Sequence, residues 1–213
     1  MNARAARAIG LLDRLALEHP DARIALAYTT PLELLVATIL SAQCTDARVN
    51  MVTPALFARC RTPEDYLALA PAELEQLIRP TGFFRQKTRS IRAACASIVE
   101  RYDSKVPETL DELVTLHGVG RKTAAVVSSN AFGRRDGIAV DTHVGRVSRR
   151  LGLTRHTDPV KVERALMRLY PRERWLQVSD VLIFHGRRVC EARRPRCGEC
   201  AVRDLCPSAH LFM

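Results

Sequence analysis

The sequence predicts an all-α protein, and three observations support this class. Apolar residues recur with the helical period along nearly the whole chain, most clearly in residues 5–15, 32–40, 91–102 and 162–169. No stretch shows the sustained alternation of apolar and polar residues that a half-buried strand requires. Prolines such as Pro31 mark the starts of helices. We therefore expect about ten helices followed by a loop-rich C-terminal tail.

The net charge of +10 belongs to one part of the chain. Residues 1–120 contain 14 basic and 14 acidic side chains, whereas residues 121–213 contain 19 basic and 9 acidic ones. An arginine-rich genome explains a basic surface but not this asymmetry. A compact protein with one such basic half is expected to bind nucleic acid. The chain shows neither an apolar run of about 18 residues nor a signal-peptide pattern, so we expect a cytoplasmic protein.

Four of the seven cysteines lie close together, with the spacing C-x6-C-x2-C-x5-C. They are Cys190, Cys197, Cys200 and Cys206, and the other three are scattered among apolar or small residues. An odd total argues against a disulfide framework and indicates a reducing compartment. Four neighbouring thiolates need a cation, for which zinc and an iron–sulfur cluster are the candidates. Zinc ribbons usually present two tight cysteine pairs, whereas one tight pair here favours the larger cluster.

A glycine turn lies between two helical stretches and consists of Gly118, Val119 and Gly120. Glycines let the backbone pass close to another molecule, and the N–H groups that begin the following helix suit a phosphate. A plain helix–helix turn is the alternative. Because Arg121 and Lys122 follow at once and the basic half begins there, we favour contact with DNA phosphates.

Four segments in this order together resemble the endonuclease III family of DNA repair glycosylases. They are LSAQCTDARVN at residues 40–50, LHGVGRKTAAVV at 116–127, AVDTHVGRV at 139–147 and the four-cysteine motif. The resemblance runs from residue 10 to residue 206 and is far more specific than any one segment.

The resemblance implies a two-lobed, all-α helix–hairpin–helix fold. One domain would be a helical bundle at residues 24–133, with the hairpin at 110–132. The other would join residues 1–23 to residues 134–213 and hold a [4Fe–4S] cluster in the loop 190–206. The implied protein is a monomeric, nucleoid-associated glycosylase and abasic-site lyase, whose partner is double-stranded DNA with damaged pyrimidines or abasic sites.

Two residues are expected to carry the chemistry, and both match family positions. Lys122 matches the catalytic lysine, whose amine displaces the base at the sugar C1′, forms a Schiff base and permits β-elimination. Arginine cannot do this because it stays protonated. Asp141 matches the catalytic aspartate, which would activate the nucleophile and stabilise positive charge at C1′. The alternatives are an exposed lysine and a helix N-cap, and we expect the two residues to face each other from opposite lobes.

Extrusion of the damaged base leaves a gap that the protein must fill. Gln43 matches the gap-filling glutamine of the family, and Ser41 and Asp46 are expected to line the substrate pocket. Phe83 stands where the family has an aliphatic wedge and is expected to insert into the duplex. His143 would either contact a phosphate or pack inside the protein.

The sequence departs from the family pattern at two further places. His117 replaces a common proline before the hairpin, and residues 133–137 are one residue longer than usual.

The first rival function is that of the related adenine-mismatch glycosylase, which generally lacks the lysine and carries an extra C-terminal domain. The second is a DNA-binding protein without catalysis.

Overall fold

The computed structural model describes residues 3–212 and confirms the all-α class. Within that range eleven α-helices and five short 3₁₀ helices follow one another, and no strand is formed. Contacts divide the chain into two compact units. The bundle unit is Ala25–Asp136, and the cysteine unit joins the residues up to Ile24 to those from Gly137 onward. The assignment of 24–133 and its complement as functional domains stays a prediction.

The bundle unit is built around helix α2 (Pro31–Leu40), in which eight of ten residues are buried. Three helices of the unit begin with a capping box. In each, a threonine hydroxyl accepts a hydrogen bond from the backbone amide of the third helical residue, and the threonines are Thr30, Thr62 and Thr109. These caps satisfy amides that the first helical turn leaves without partners. The helices of the unit are α2 (Pro31–Leu40), α3 (Asp46–Arg59), α4 (Pro63–Ala68), α5 (Pro71–Ile78), α6 (Phe84–Tyr102), α7 (Leu110–Leu113) and α8 (Arg121–Phe132).

The cysteine unit packs four helices around an aliphatic core. These are α1 (Ala3–Glu18), α9 (Thr142–Arg150), α10 (Pro159–Leu169) and α11 (Trp175–Arg188). The tail after α11 packs on this core, with Val202 fully buried. Helix α1 fastens the tail, because the Arg7 guanidinium donates to Leu205 O at 2.7 Å and Arg14 pairs with Asp204 at 2.8 Å. The tail is thus a packed part of the unit despite its lack of long helices.

None of the described helices is both long and apolar enough to cross a membrane.

Candidate functional site

The glycine turn between α7 and α8 lies directly against α6. Gly118 has φ 77°, and a Cβ added to it would lie 2.5 Å from the Cβ of Ser90. Only glycine fits this position, because both the backbone angle and the close approach exclude a side chain. Val119 is buried and its amide donates to Leu116 O, so it serves the packing of the turn. The exposed surface of the turn therefore consists mainly of Gly118 and Gly120.

Helix α8 begins with Arg121 and Lys122 on the surface of the bundle unit. Its N-cap, Gly120, provides no side-chain hydrogen bond to the first turn. An N-terminus without a capping side chain keeps its partial positive charge available to an anion. The Lys122 side chain is exposed, as a nucleophile that meets a large substrate must be.

Gln43 and Phe83 line one cavity of the bundle unit together with Gly118 and Thr123 of the hairpin region. Both side chains are exposed, and Phe83 retains 64% of its accessible surface. Both residues have left-handed backbones, with φ 52° at Gln43 and 47° at Phe83. Such angles are strained in residues other than glycine and persist only where the surrounding structure imposes them. The two residues expected to enter the duplex thus share a surface and a backbone constraint.

Lys87 lies in the wall of the same cavity, and the sequence did not single it out. It is 4% exposed, and its ammonium donates to two backbone carbonyls, Leu40 O at 2.7 Å and Thr81 O at 2.8 Å. The one available signal was composition, because only four of the 33 basic residues are lysines.

Ser41 and Asp46 are half-buried beside the Gln43 segment. The Ser41 hydroxyl donates to Thr38 O at 2.8 Å and so closes the end of α2. Asp46 begins α3, one residue after the cap Thr45. As far as the described residues show, neither lines the cavity of Gln43 and Phe83, and their place in a substrate pocket stays a prediction.

Asp141 caps α9 in the cysteine unit. It follows the buried segment 138–140, and its Oδ1 accepts from the amide of Val144 at 2.8 Å. Lys122 belongs to the bundle unit and Asp141 to the cysteine unit, so their expected approach stays a prediction.

His143 lies one residue into α9 and is half-buried. The Arg146 guanidinium donates to His143 Nδ1 at 3.1 Å and to Gly186 O at 2.9 Å. A Cβ added to Gly186 would lie 2.9 Å from the His143 Cβ. The imidazole therefore helps to pack α9 against α11, and contact with a phosphate stays a prediction for its second nitrogen.

The segment 133–137 folds back on α8. Gly133 ends the helix with φ 66°, and the amide of Arg134 donates to Ser128 O at 3.1 Å. The Arg134 side chain pairs with Asp136 at 2.6 Å, and the Ser128 hydroxyl donates to the same carboxylate at 3.3 Å. The longer segment is thus tied to its own helix. His117, the other departure, is exposed in the hairpin turn.

The four clustered cysteines are half-buried, form no disulfide and line one cavity of the cysteine unit. Among the described residues, no three of their sulfurs lie within 4.8 Å of one another. Four sulfurs around a tetrahedral zinc at its usual bond length would be about 3.8 Å apart. Burial raises the pKa of the Cys200 thiol to about 11, so at neutral pH only a bound cation makes it a thiolate.

Two side chains that the sequence did not indicate contact these sulfurs. Arg150 donates to Cys190 Sγ at 3.4 Å and to Glu191 O at 2.6 Å, which holds the start of the cysteine loop. His185 Nε2 lies 3.7 Å from Cys200 Sγ, and burial lowers the pKa of this imidazole to about 4, so it is neutral. The available signal for His185 was its position in α11, just before Cys190.

Comparison with known proteins gives matches that span residues of both units. Residues 36–172 match the sequence profile of HhH-GPD superfamily base excision DNA repair proteins. Endonuclease III of Synechocystis is 54% identical over 212 residues, which cover 98% of this chain and 95% of the relative. Endonuclease III of Bacillus subtilis is 50% identical over 196 residues, or 92% of this chain and 89% of the relative.

Two solved structures of endonuclease III with DNA are also similar to this chain. A non-covalent complex superposes with a TM-score of 0.92 at 47% identity, covering 99% of this chain and 98% of the other. A trapped covalent intermediate superposes with a TM-score of 0.93 at the same identity, covering 99% of each chain.

The glycine turn yields a stability prediction. Gly118→Ala should lower the free energy of unfolding by about 2–4 kcal/mol, because it adds backbone strain to a clash with Ser90. Gly120→Ala is the matched control, since its φ is −80° and nothing lies within 4 Å of the added Cβ. Urea denaturation of both variants measures the difference. Equal losses in the two would contradict the steric role of Gly118.

Proposed function

This chain belongs to the endonuclease III family of the HhH-GPD superfamily, and we propose its reaction and the residues that perform it on that basis. The protein is a bifunctional DNA glycosylase and abasic-site lyase of base excision repair. It acts on double-stranded DNA that contains oxidised pyrimidines or abasic sites, and it cuts the strand 3′ to the lesion by β-elimination. Because its substrate is chromosomal DNA, we place it in the cytoplasm beside the nucleoid.

The observation that carries the assignment of roles is the exposed amine of Lys122 at the start of α8. The amine attacks C1′, and the damaged base leaves with the electrons of the glycosidic bond and gains a proton. Opening of the sugar ring produces a Schiff base between Lys122 and C1′. Loss of a C2′ proton then expels the 3′ phosphate, and water releases the free enzyme.

Asp141 supplies the negative charge that this sequence of steps requires. A carboxylate stabilises the positive charge that develops at C1′ as the base departs. A carboxylate can also act as the general base that frees an amine nucleophile of its proton. Its capping bond to Val144 fixes one oxygen and leaves the other for the substrate.

The remaining bundle-unit residues hold the DNA. The exposed glycines Gly118 and Gly120 and the side chain of Arg121 meet backbone phosphates at the positive end of α8. The amide of Gln43 pairs with the base left without a partner, while the ring of Phe83 stacks in the duplex. A phenyl ring at this place offers stacking that an aliphatic wedge cannot.

We assign a [4Fe–4S] cluster to Cys190, Cys197, Cys200 and Cys206. No three of their sulfurs lie as close together as one zinc ion would require, which favours a cubane, whose usual ligands are four cysteine thiolates. Neutral His185 and charged Arg150 offer donors to sulfurs that carry negative charge when the cluster is bound. The cluster would have a structural role, because its bonds to the four sulfurs would link the two ends of residues 190–206.

Lys122→Gln tests the nucleophile. The variant should form no covalent adduct with lesion-containing duplex in the presence of borohydride, because an amide cannot form the imine that borohydride reduces. Binding to the same duplex should remain measurable by anisotropy. Lys105→Gln removes an exposed lysine of the same unit and should form adduct like the wild type. An adduct with Lys122→Gln, or none with wild-type protein on any lesion, would contradict the proposal.

Asp141→Asn separates the charge of this residue from its capping role. Asparagine keeps the oxygen that caps α9, so the free energy of unfolding should match the wild type, whereas Asp141→Ala should lose about 1 kcal/mol. Single-turnover base removal by Asp141→Asn should fall by about 100-fold or more. A rate near that of the wild type would show that the carboxylate serves only the helix.

Cys200→Ala tests the cluster. Wild-type protein should be brown and contain about four iron atoms per chain, whereas the variant should lose both the colour and the iron. Cys60→Ala, at a buried cysteine of the bundle unit, should keep them. Elemental analysis and absorption spectra make the comparison. A colourless wild-type protein with stoichiometric zinc would refute the assignment.

A further inference from the structure

Lys87 joins two segments of the bundle unit that are distant in sequence. Its ammonium donates to Leu40 O at the end of α2 and to Thr81 O at the end of the 3₁₀ helix Arg79–Thr81. Gln43 lies three residues after the first acceptor, and Phe83 lies two residues after the second. A single buried ammonium therefore holds the backbone just before both Gln43 and Phe83.

Burial of an ammonium has a free-energy cost, which indicates a role in positioning other residues rather than in filling space. A buried ammonium is stable only when hydrogen bonds replace its hydration, and Lys87 is 4% exposed. Its acceptors suit a cation, because the carbonyl of Leu40 belongs to the negative end of α2. An ammonium carries three donors on one compact group and can therefore serve both carbonyls at once. Lysine is also a rare choice in this arginine-rich chain.

The backbones that follow the two acceptors need such support. Gln43 and Phe83 both have left-handed φ angles without being glycine, so neither conformation is favoured locally. Both residues and Lys87 line the same cavity. Loss of the shared anchor would let each segment relax independently and would change the distance between the two inserted side chains.

We propose that Lys87 is a positioning residue that sets the spacing of Gln43 and Phe83, and thereby the extrusion of the damaged nucleotide. The inference rests on the proposed function, in which these two side chains enter the duplex. Lys87 does not touch the reacting atoms. It therefore matters where a base must be extruded from a paired duplex and the gap filled, and not where the substrate is already unpaired.

Lys87→Met tests this role with two substrates and one optical signal. Single-turnover base removal from paired duplex with an oxidised pyrimidine should fall about 100-fold, because misplaced contacts cost rates of this order. Strand cleavage of a single-stranded abasic oligonucleotide should be unchanged, since no base is extruded. With 2-aminopurine beside the lesion, the rise in fluorescence on extrusion should be lost.

Thr88→Val is the matched control. Thr88 is the next residue of α6, is 2% exposed, and its hydroxyl has no hydrogen-bond partner among the described residues. The substitution alters a buried polar group at the same depth without breaking a link between segments. Thr88→Val should match the wild type on both substrates.

Lys87→Gln covers the case in which the methionine variant does not fold, because its amide still donates to one carbonyl. It should lose an intermediate part of the rate on paired duplex and none on the single strand. Equal losses on both substrates, or wild-type rates on paired duplex in a folded variant, would overturn the inference. Inactivity of the wild-type protein on both substrates would instead refute the proposed function, so the two failures are distinguishable.

Discussion

Packing of the hairpin turn on α6 is the constraint on which the bundle surface depends. Gly118 approaches Ser90 so closely that a side chain is excluded. This contact sets the position at which α8 begins, and with it the position of Lys122. Lys87 lies one turn earlier on α6 and holds the carbonyls that precede the Gln43 and Phe83 segments. One short stretch of α6 therefore contacts the hairpin turn and the backbone just before Gln43 and Phe83. A rigid support of this kind is what precise placement of a large substrate requires.

In the cysteine unit, the described residues after α11 form only short 3₁₀ helices, so contacts with other parts of the unit must order them. Side chains of preceding helices do this work, because Arg7 holds the carbonyl of Leu205 and Arg150 holds that of Glu191. Their guanidinium groups satisfy carbonyls that irregular backbone would otherwise leave without partners. The aliphatic core beneath, including Val202, supplies the apolar contacts. The four sulfurs therefore lie around one cavity before any cofactor is considered.

Most of the fold and part of the site could be predicted because the signals were local. Helical periodicity gave the α class, and the capping preference of aspartate indicated the helix start at Asp141 that the structure confirms. The spacing of the cysteines identified their common cavity. Lys87, Arg150 and His185 were missed, because each acts on groups far away in sequence, such as Leu40 for Lys87. No periodicity or motif reports which carbonyl a long side chain will reach.

By itself the sequence determined the helices, the glycine turn, the grouping of four cysteines and the family to which the chain belongs. These follow from residue type and spacing, which act over a few positions along the chain. The tertiary structure decided that Val119 turns inward, that Gln43 and Phe83 share a cavity with strained backbones, and that one buried ammonium supports both segments. Such relations arise only when distant segments pack together, because burial and close approach depend on the whole unit and not on neighbouring residues.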